Sequence, residues 1–221
     1  MTTKNFVAVG IVFMLVLFAG WLYTAQKGLG EGIPPGGTGD ISTTEQTISD
    51  GSITIGYDGG EWGLAVRPDQ ILVTSYIPPC GEDFNYCFYY RGNTYSGTNF
   101  DSAGLRVLKR NDLSTEEQCL SALPDGYTNM TPQIATSTTY KTSVFSQVGD
   151  AGAGHIASGA LYRVAHSNLC YEFETRIGEA QFTNFPEGTI GEFTAANKQT
   201  LEGRLLNLLK SISLSNGAKP F

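Results

Sequence analysis

Histidine is nearly absent from this chain, two in 221 residues, at positions 155 and 166. Neither lies near a Cys-x2-Cys pair, and Cys80 and Cys87 are separated by six residues with no histidine close by, so a structural zinc site is not expected. Basic residues are also scarce, 14 against 21 acidic ones, for a formal net charge of −7. Lys4, Lys27, Glu31 and Asp40 cancel over residues 1–44, which places the whole excess on residues 45–221. Nucleic acid and anionic surfaces repel such a domain, because binding to them is driven by lysine and arginine releasing counterions. Three motif classes are missing as well. There is no Gly-x-Ser-x-Gly elbow for a serine hydrolase. "GAGHIASG" has Ala157 where the third glycine of a dinucleotide cradle belongs. The Asp/Gly clusters "DGG", "GEDFN" and "GDAGAG" lack the alternating acids of an EF-hand loop and read as turns. No metal and no cofactor are expected.

One long uncharged run is present. "FVAVGIVFMLVLFAGWLY", from Phe6 to Tyr23, holds 18 residues without a charge, enough to cross a bilayer core at about 1.5 Å per residue. Signal-peptide cleavage needs small residues at −3 and −1, yet after Ala19, Gly20 or Ala25 the −3 residue is Leu17, Phe18 or Tyr23. An uncleaved anchor is therefore expected, with Trp21 and Tyr23 at headgroup level. Type IV pilins also join a hydrophobic helix to a β-rich domain, but they place glycine before the processed Phe and glutamate five residues into the helix. Here those positions hold Asn5 and Gly10. The expected organisation is a short tail over 1–5, a transmembrane anchor over 6–23 in contact with the lipid bilayer, a Gly/Pro-rich tether over 24–44, and one domain over 45–221. An even set of four cysteines behind an export-competent segment points to an oxidising compartment, with the domain outside the cytoplasm.

Within that domain, β-branched and aromatic runs alternate with turn residues. "GSITIGY", "WGLAVRP", "QILVTSYI", "YCFYY", "AGLRVLKR", "TYKTSVFSQVG", "SGALYRVAH" and "LCYEFETRIG" read as strands. Ser114 with Glu117 three residues on predicts a capping box and a short helix. Thr194 opens a longer one, where Leu201, Leu205, Leu208, Leu209 and Ile212 form one apolar stripe. The pattern predicts an α+β fold, an antiparallel sheet with one short helix and a long C-terminal amphipathic helix packed on it.

"LYRVAHSNLCYEFETRIG" carries the most information. A two-residue turn at Ser167-Asn168 places Arg163 opposite Glu172, Ala165 opposite Cys170 and Tyr162 opposite Phe173. One face then holds Tyr162, Val164, Tyr171 and Phe173, and the other Arg163, Cys170, Glu172 and Glu174. Arg163 and Glu172 are expected to be a structural ion pair. "YRVAHSNLCYEFETRI", Tyr162 to Ile177, resembles a segment that recurs in uncharacterised exported or membrane-anchored bacterial proteins. The resemblance covers 16 residues and implies a bacterial envelope location, with no activity attached.

Four cysteines allow three pairings. Cys80 with Cys87 would close a turn-bearing loop between strands, worth roughly 2–3 kcal/mol on the chain-entropy account, and would leave Cys119 for Cys170, a longer loop worth about 4 kcal/mol. A thiolate nucleophile is not expected, since His166 falls on the hairpin face opposite Cys170. For binding, the aromatic-rich "FNYCFYYRGNTY" stands out. Tyr86, Tyr89, Tyr90 and Tyr95 beside Arg91 are the candidate ligand surface, suited to a protein or glycan partner. The expected function is that of a membrane-anchored extracytoplasmic binding or structural module. The alternative is an extracytoplasmic hydrolase or carbohydrate-active enzyme using carboxylates that the sequence does not single out; Glu172 and Glu174 lie about 7 Å apart along their strand, a spacing that alone is no evidence.

Overall fold

The computed structural model describes residues 44–65, 85–124 and 127–221. The expected anchor over 6–23, nearly all of the tether, the strand expected over Gln70–Ile77 and Cys80 lie outside the described residues. Among the described residues, no helix is long and apolar enough to cross a membrane.

Among the described residues the β-propensity runs form two antiparallel sheets. The smaller contains β1 (Glu45–Ser49), β2 (Ile53–Asp58) and β10 (Ser213–Leu214), in the order β1-β2-β10. The larger contains β3 (Trp62–Ala65), β4 (Tyr86–Tyr90), β5 (Phe100–Lys109), β6 (Gln133–Thr136), β7 (Lys141–Gly152), β8 (His155–His166) and β9 (Leu169–Ala180). Its strand order is β3-β4-β5-β9-β8-β7-β6. Among the described residues two α-helices join them, α1 (Glu116–Ser121) and α2 (Ala195–Lys210).

The centre of the large sheet is the β8–β9 hairpin. Ser167 and Asn168 both take positive φ, 51° and 61°, the left-handed pair that a type I′ turn requires and that matches strand twist. The register runs from His166 against Leu169 through Arg163 against Glu172 to His155 against Ala180. Residues 162, 164, 171 and 173 therefore share one face, and 163, 170, 172 and 174 the other.

The first of these faces receives α2. Thr194 caps this helix, its hydroxyl accepting from the Asn197 amide while the Asn197 side chain accepts from the Thr194 amide. Leu201, Leu205, Leu208, Leu209 and Ile212 are buried against Leu105, Val107, Tyr171 and Phe173 of the large sheet and Ile53 and Ile55 of the small one. One core thus serves both sheets.

The opposite face carries α1. Its cap is one residue later than expected: Thr115 Oγ1 accepts from the Gln118 amide and Gln118 Oε1 from the Thr115 amide. Ser114-x-x-Glu117 and Thr115-x-x-Gln118 both satisfy the spacing, and the helix starts at Glu116. Cys119 and Leu120 pack on Ala165 and Cys170. Next to them, Phe145 and Leu161 are covered by Tyr127 and Met130.

Candidate functional site

The polar face of β9 is a row of interlocked charges. Glu172 Oε2 accepts from Arg163 Nε at 2.7 Å and from Arg110 Nη1 at 2.8 Å. Arg110 also clasps Asp112 with two bonds, at 2.8 and 2.7 Å. Two residues along, Glu174 meets Arg176 Nε at 2.5 Å through one oxygen and pairs with Arg106 through the other. Arg163 has no exposed surface. It donates from Nη1 to the carbonyl of Ala122 at the end of α1, and its guanidinium lies 5.2 Å from the Phe145 ring centre. A cation packed there and bonded to a helix C-terminus offsets the exposed carbonyl dipoles.

The titration of this row follows its packing. Burial pushes Arg106 down to about 10, helped by the neighbouring Arg176 charge. Hydrogen bonds from Arg110 hold Asp112 down at about 2, and the Asp112 bonds raise Arg110 above the ordinary arginine range. Glu172 and Glu174 are buried and each shared by two guanidinium groups. Their oxygens already hold the protein's own donors, and the geometry does not present them as an open acid and base to a substrate. Among the described residues, no cluster of three or more His, Cys, Asp or Glu side chains could hold a metal ion.

Cys119 and Cys170 are joined, with Cα atoms 5.5 Å apart, which ties α1 to β9. Cys87 is buried on β4, and no described cysteine is free. His166 Nδ1 faces the Thr139 carbonyl at 2.9 Å. His155 Nδ1 lies 2.7 Å from Asp101 Oδ2, at the irregularity where β5 slips register against β9 between Phe100 and Ser102.

The tyrosines expected to form an exposed patch are divided between faces. Tyr86, Tyr90 and Tyr95 are 9%, 8% and 3% exposed and belong to the core. Tyr95 stacks edge-on against Phe193 at 5.0 Å, and Tyr90 meets Trp62 at 5.7 Å. Tyr89 points the other way, half-buried across Gly63, where any added Cβ would fall 2.2 Å from its ring. Arg91 is exposed and donates to the Gly59 carbonyl at 3.3 Å. The period of two sends alternate residues of β4 to opposite faces, and Tyr86, Tyr90 and Tyr95 fall in the core cluster that also holds the α2 leucines. These five residues therefore form no single accessible surface.

A concave surface that this reading did not anticipate lies beside α2, on the β7–β8 side. It is a groove of about 970 Å³. Its floor is low because Ser146, Gly149, Ser158 and Ala160 are small, and its wall is the helix flank bearing Glu202 and Leu206. Ile156 and Leu206, both in its lining, remain 44% and 40% exposed. Tyr162 closes one end, its phenol raised by burial and by the Glu202 carboxylate. The neighbouring Lys198 is turned to Glu179 at 3.2 Å. The traceable signals in the sequence were the small-residue alternation near 146–160 and Leu206, which lies off the apolar stripe. No protein-family model matches the chain, and no curated protein matches it.

Proposed function

We propose that this chain is a binding module of a bacterial cell envelope, held to the bilayer through residues 6–23 with residues 45–221 outside the cytoplasm. The uncharged run Phe6–Tyr23 and the Cys119–Cys170 bridge support the location.

The single observation that carries the binding role is the groove beside α2, a concavity with exposed aliphatic side chains and a few hydroxyls, the usual make-up of a recognition site. Its occupant is an extended protein segment with an apolar side chain for Ile156 and Leu206 and a lysine or arginine for Glu202. The domain's negative charge favours such a segment. A glycan is the poorer fit, since glycans are gripped by exposed rings and Tyr86, Tyr90 and Tyr95 are core residues. The carboxylate-enzyme alternative gains no support from Glu172 and Glu174, which are engaged by arginines.

Photocrosslinking in intact cells tests the role. A benzoylphenylalanine at Leu206 is expected to give a discrete adduct that Ser158→Trp abolishes by filling the floor, while the same probe at Leu123, exposed elsewhere, gives none. Equal labelling from both positions, or none from Leu206, would reject the groove. External protease that leaves residues 45–221 intact in spheroplasts, but digests them after lysis, would reject the location.

A further inference from the structure

Ser167 occupies the first position of the β8–β9 turn with φ at 51°, in the left-handed region. An Asn-Gly pair suits a type I′ turn best, whereas a serine there brings its Cβ close to a backbone carbonyl. The turn alone does not account for this side chain. Its placement beside His166 does. Ser167 is exposed, while His166, the residue before it, is 7% exposed. Ser167 Oγ lies 3.1 Å from His166 Nε2, and His166 Nδ1 lies 2.9 Å from the carbonyl of Thr139. A carbonyl oxygen only accepts, so Nδ1 carries the ring proton of the neutral imidazole. Nε2 is then the bare nitrogen, and the Ser167 hydroxyl donates to it. Hydroxyl, imidazole and fixed acceptor stand in the order by which a serine is activated for attack, with a backbone carbonyl in the place usually held by a carboxylate.

We infer that Ser167 is an acyl-accepting nucleophile with His166 as its general base, and that its substrate is a small uncharged ester. The place for that ester is a groove of about 540 Å³ between the start of α1, the chain over 137–141 and the β8–β9 turn, whose lining includes both residues. Lys141 and Glu116 in its lining pair with each other, so neither is left to select an ion. Thr138 and Asn168 supply a hydroxyl and an amide for the alcohol portion, and Leu169 an apolar edge for the acyl group. Ser167 Oγ bonds to the ester carbonyl carbon as its proton passes to His166 Nε2, and that proton then goes to the departing alcohol oxygen as the C–O bond breaks. Water repeats the sequence on the acyl-serine: its oxygen bonds to the same carbon, its proton passes through Nε2 to Ser167 Oγ, and the acid leaves. The Asn168 amide, next in the chain and beyond the last ladder pair, is a backbone donor for the oxygen that becomes negative. The Thr139 carbonyl changes no bond; it holds the ring in the tautomer the step needs.

A fluorophosphonate, which reacts with a serine that a base has activated, tests this on the full chain in nonionic detergent. Intact mass is expected to rise by one adduct, mapped to Ser167, and p-nitrophenyl acetate to be hydrolysed. Ser167→Gly suits the left-handed φ and so keeps the fold; it is expected to take no adduct and to lose the turnover. His166→Gln is expected to slow labelling by about a hundredfold or more, the usual worth of a general base, with circular dichroism recorded alongside. Ser167→Cys gives a reading that does not depend on that variant's folding. Its alkylation by iodoacetamide is expected to run at least about tenfold faster than that of the exposed control Ser215→Cys, because an adjacent imidazole raises the thiolate share. No adduct on Ser167 overturns the inference. So does labelling that a folded His166→Gln leaves unchanged, or equal alkylation of the two introduced cysteines.

Discussion

Arg163 and Glu172 face each other across the β8–β9 ladder, with Arg163 Nε 2.7 Å from Glu172 Oε2 and no part of Arg163 exposed. The pair is hydrogen-bonded at both ends: Glu172 also accepts from Arg110, and Arg163 also donates to the last carbonyls of α1. Removing one partner strands the others in a buried site. Arg163→Met is expected to destabilise the domain by about 3–5 kcal/mol, because a buried carboxylate loses a partner and the α1 carbonyls lose their donor. Arg163→Met with Glu172→Leu is expected to cost less than the single change. Denaturant unfolding of the three proteins, followed by tryptophan fluorescence, checks the order.

Leu205→Asp is expected to detach α2 or unfold the domain. Leu205 is 2% exposed in the core shared by both sheets, and an unpaired carboxylate there adds desolvation to the lost packing. Leu206→Asp, one residue on but 40% exposed, is expected to leave stability within about 0.5 kcal/mol. Limited proteolysis near residues 195–210, compared between the two variants, separates these outcomes.

Tyr95→Ala is expected to cost about 3–5 kcal/mol, as large aromatic truncations in cores do, since its ring contacts Tyr90, Phe100 and Phe193. A thermal melt unchanged from wild type would return Tyr95 to the list of surface residues.

Reduction of the Cys119–Cys170 bridge, or Cys119→Ala with Cys170→Ala, is expected to lower stability by about 4 kcal/mol on the chain-entropy account. The loss should appear first as faster amide exchange in α1. Protection in α1 equal to that of the oxidised protein would mean that Arg163 and Leu120 hold the helix unaided.

The Asp112–Arg110 pair makes a pH-dependent contribution of known sign. Its folded pKa, about 2, lies below the ordinary 3.8, so the contribution is fully present above about pH 4 and is lost as pH falls toward 2. Asp112→Asn is expected to flatten the stability profile across that window without changing its slope near neutrality. Asp112 is largely exposed, so salt screens the effect.

Local pattern carried much of the architecture. The Ser167-Asn168 turn set the hairpin register, because a shift of one residue would exchange every side chain between faces. The leucine stripe of α2 was equally legible. The strands β1, β6 and β10 were not, since "EQTIS" and "QIAT" are polar and largely exposed, and they form because their neighbours offer unpaired backbone. At α1 two overlapping cap signals differed by one residue. The tyrosine patch failed for a related reason: alternation along β4 is readable, but both faces of this sheet are covered, so the period alone does not say which ring meets water.

The sequence by itself determined an antiparallel α+β domain, the hairpin with its facing Arg163 and Glu172, and the burial of the α2 stripe, because each depends on residues close along the chain or on a fixed period. Only the tertiary structure decided which tyrosines are core, where the groove beside α2 opens, and that the Thr139 carbonyl meets His166 beside Ser167. Those features arise where elements distant in sequence come together, and their positions depend on side-chain volumes filling a shared space rather than on any local pattern.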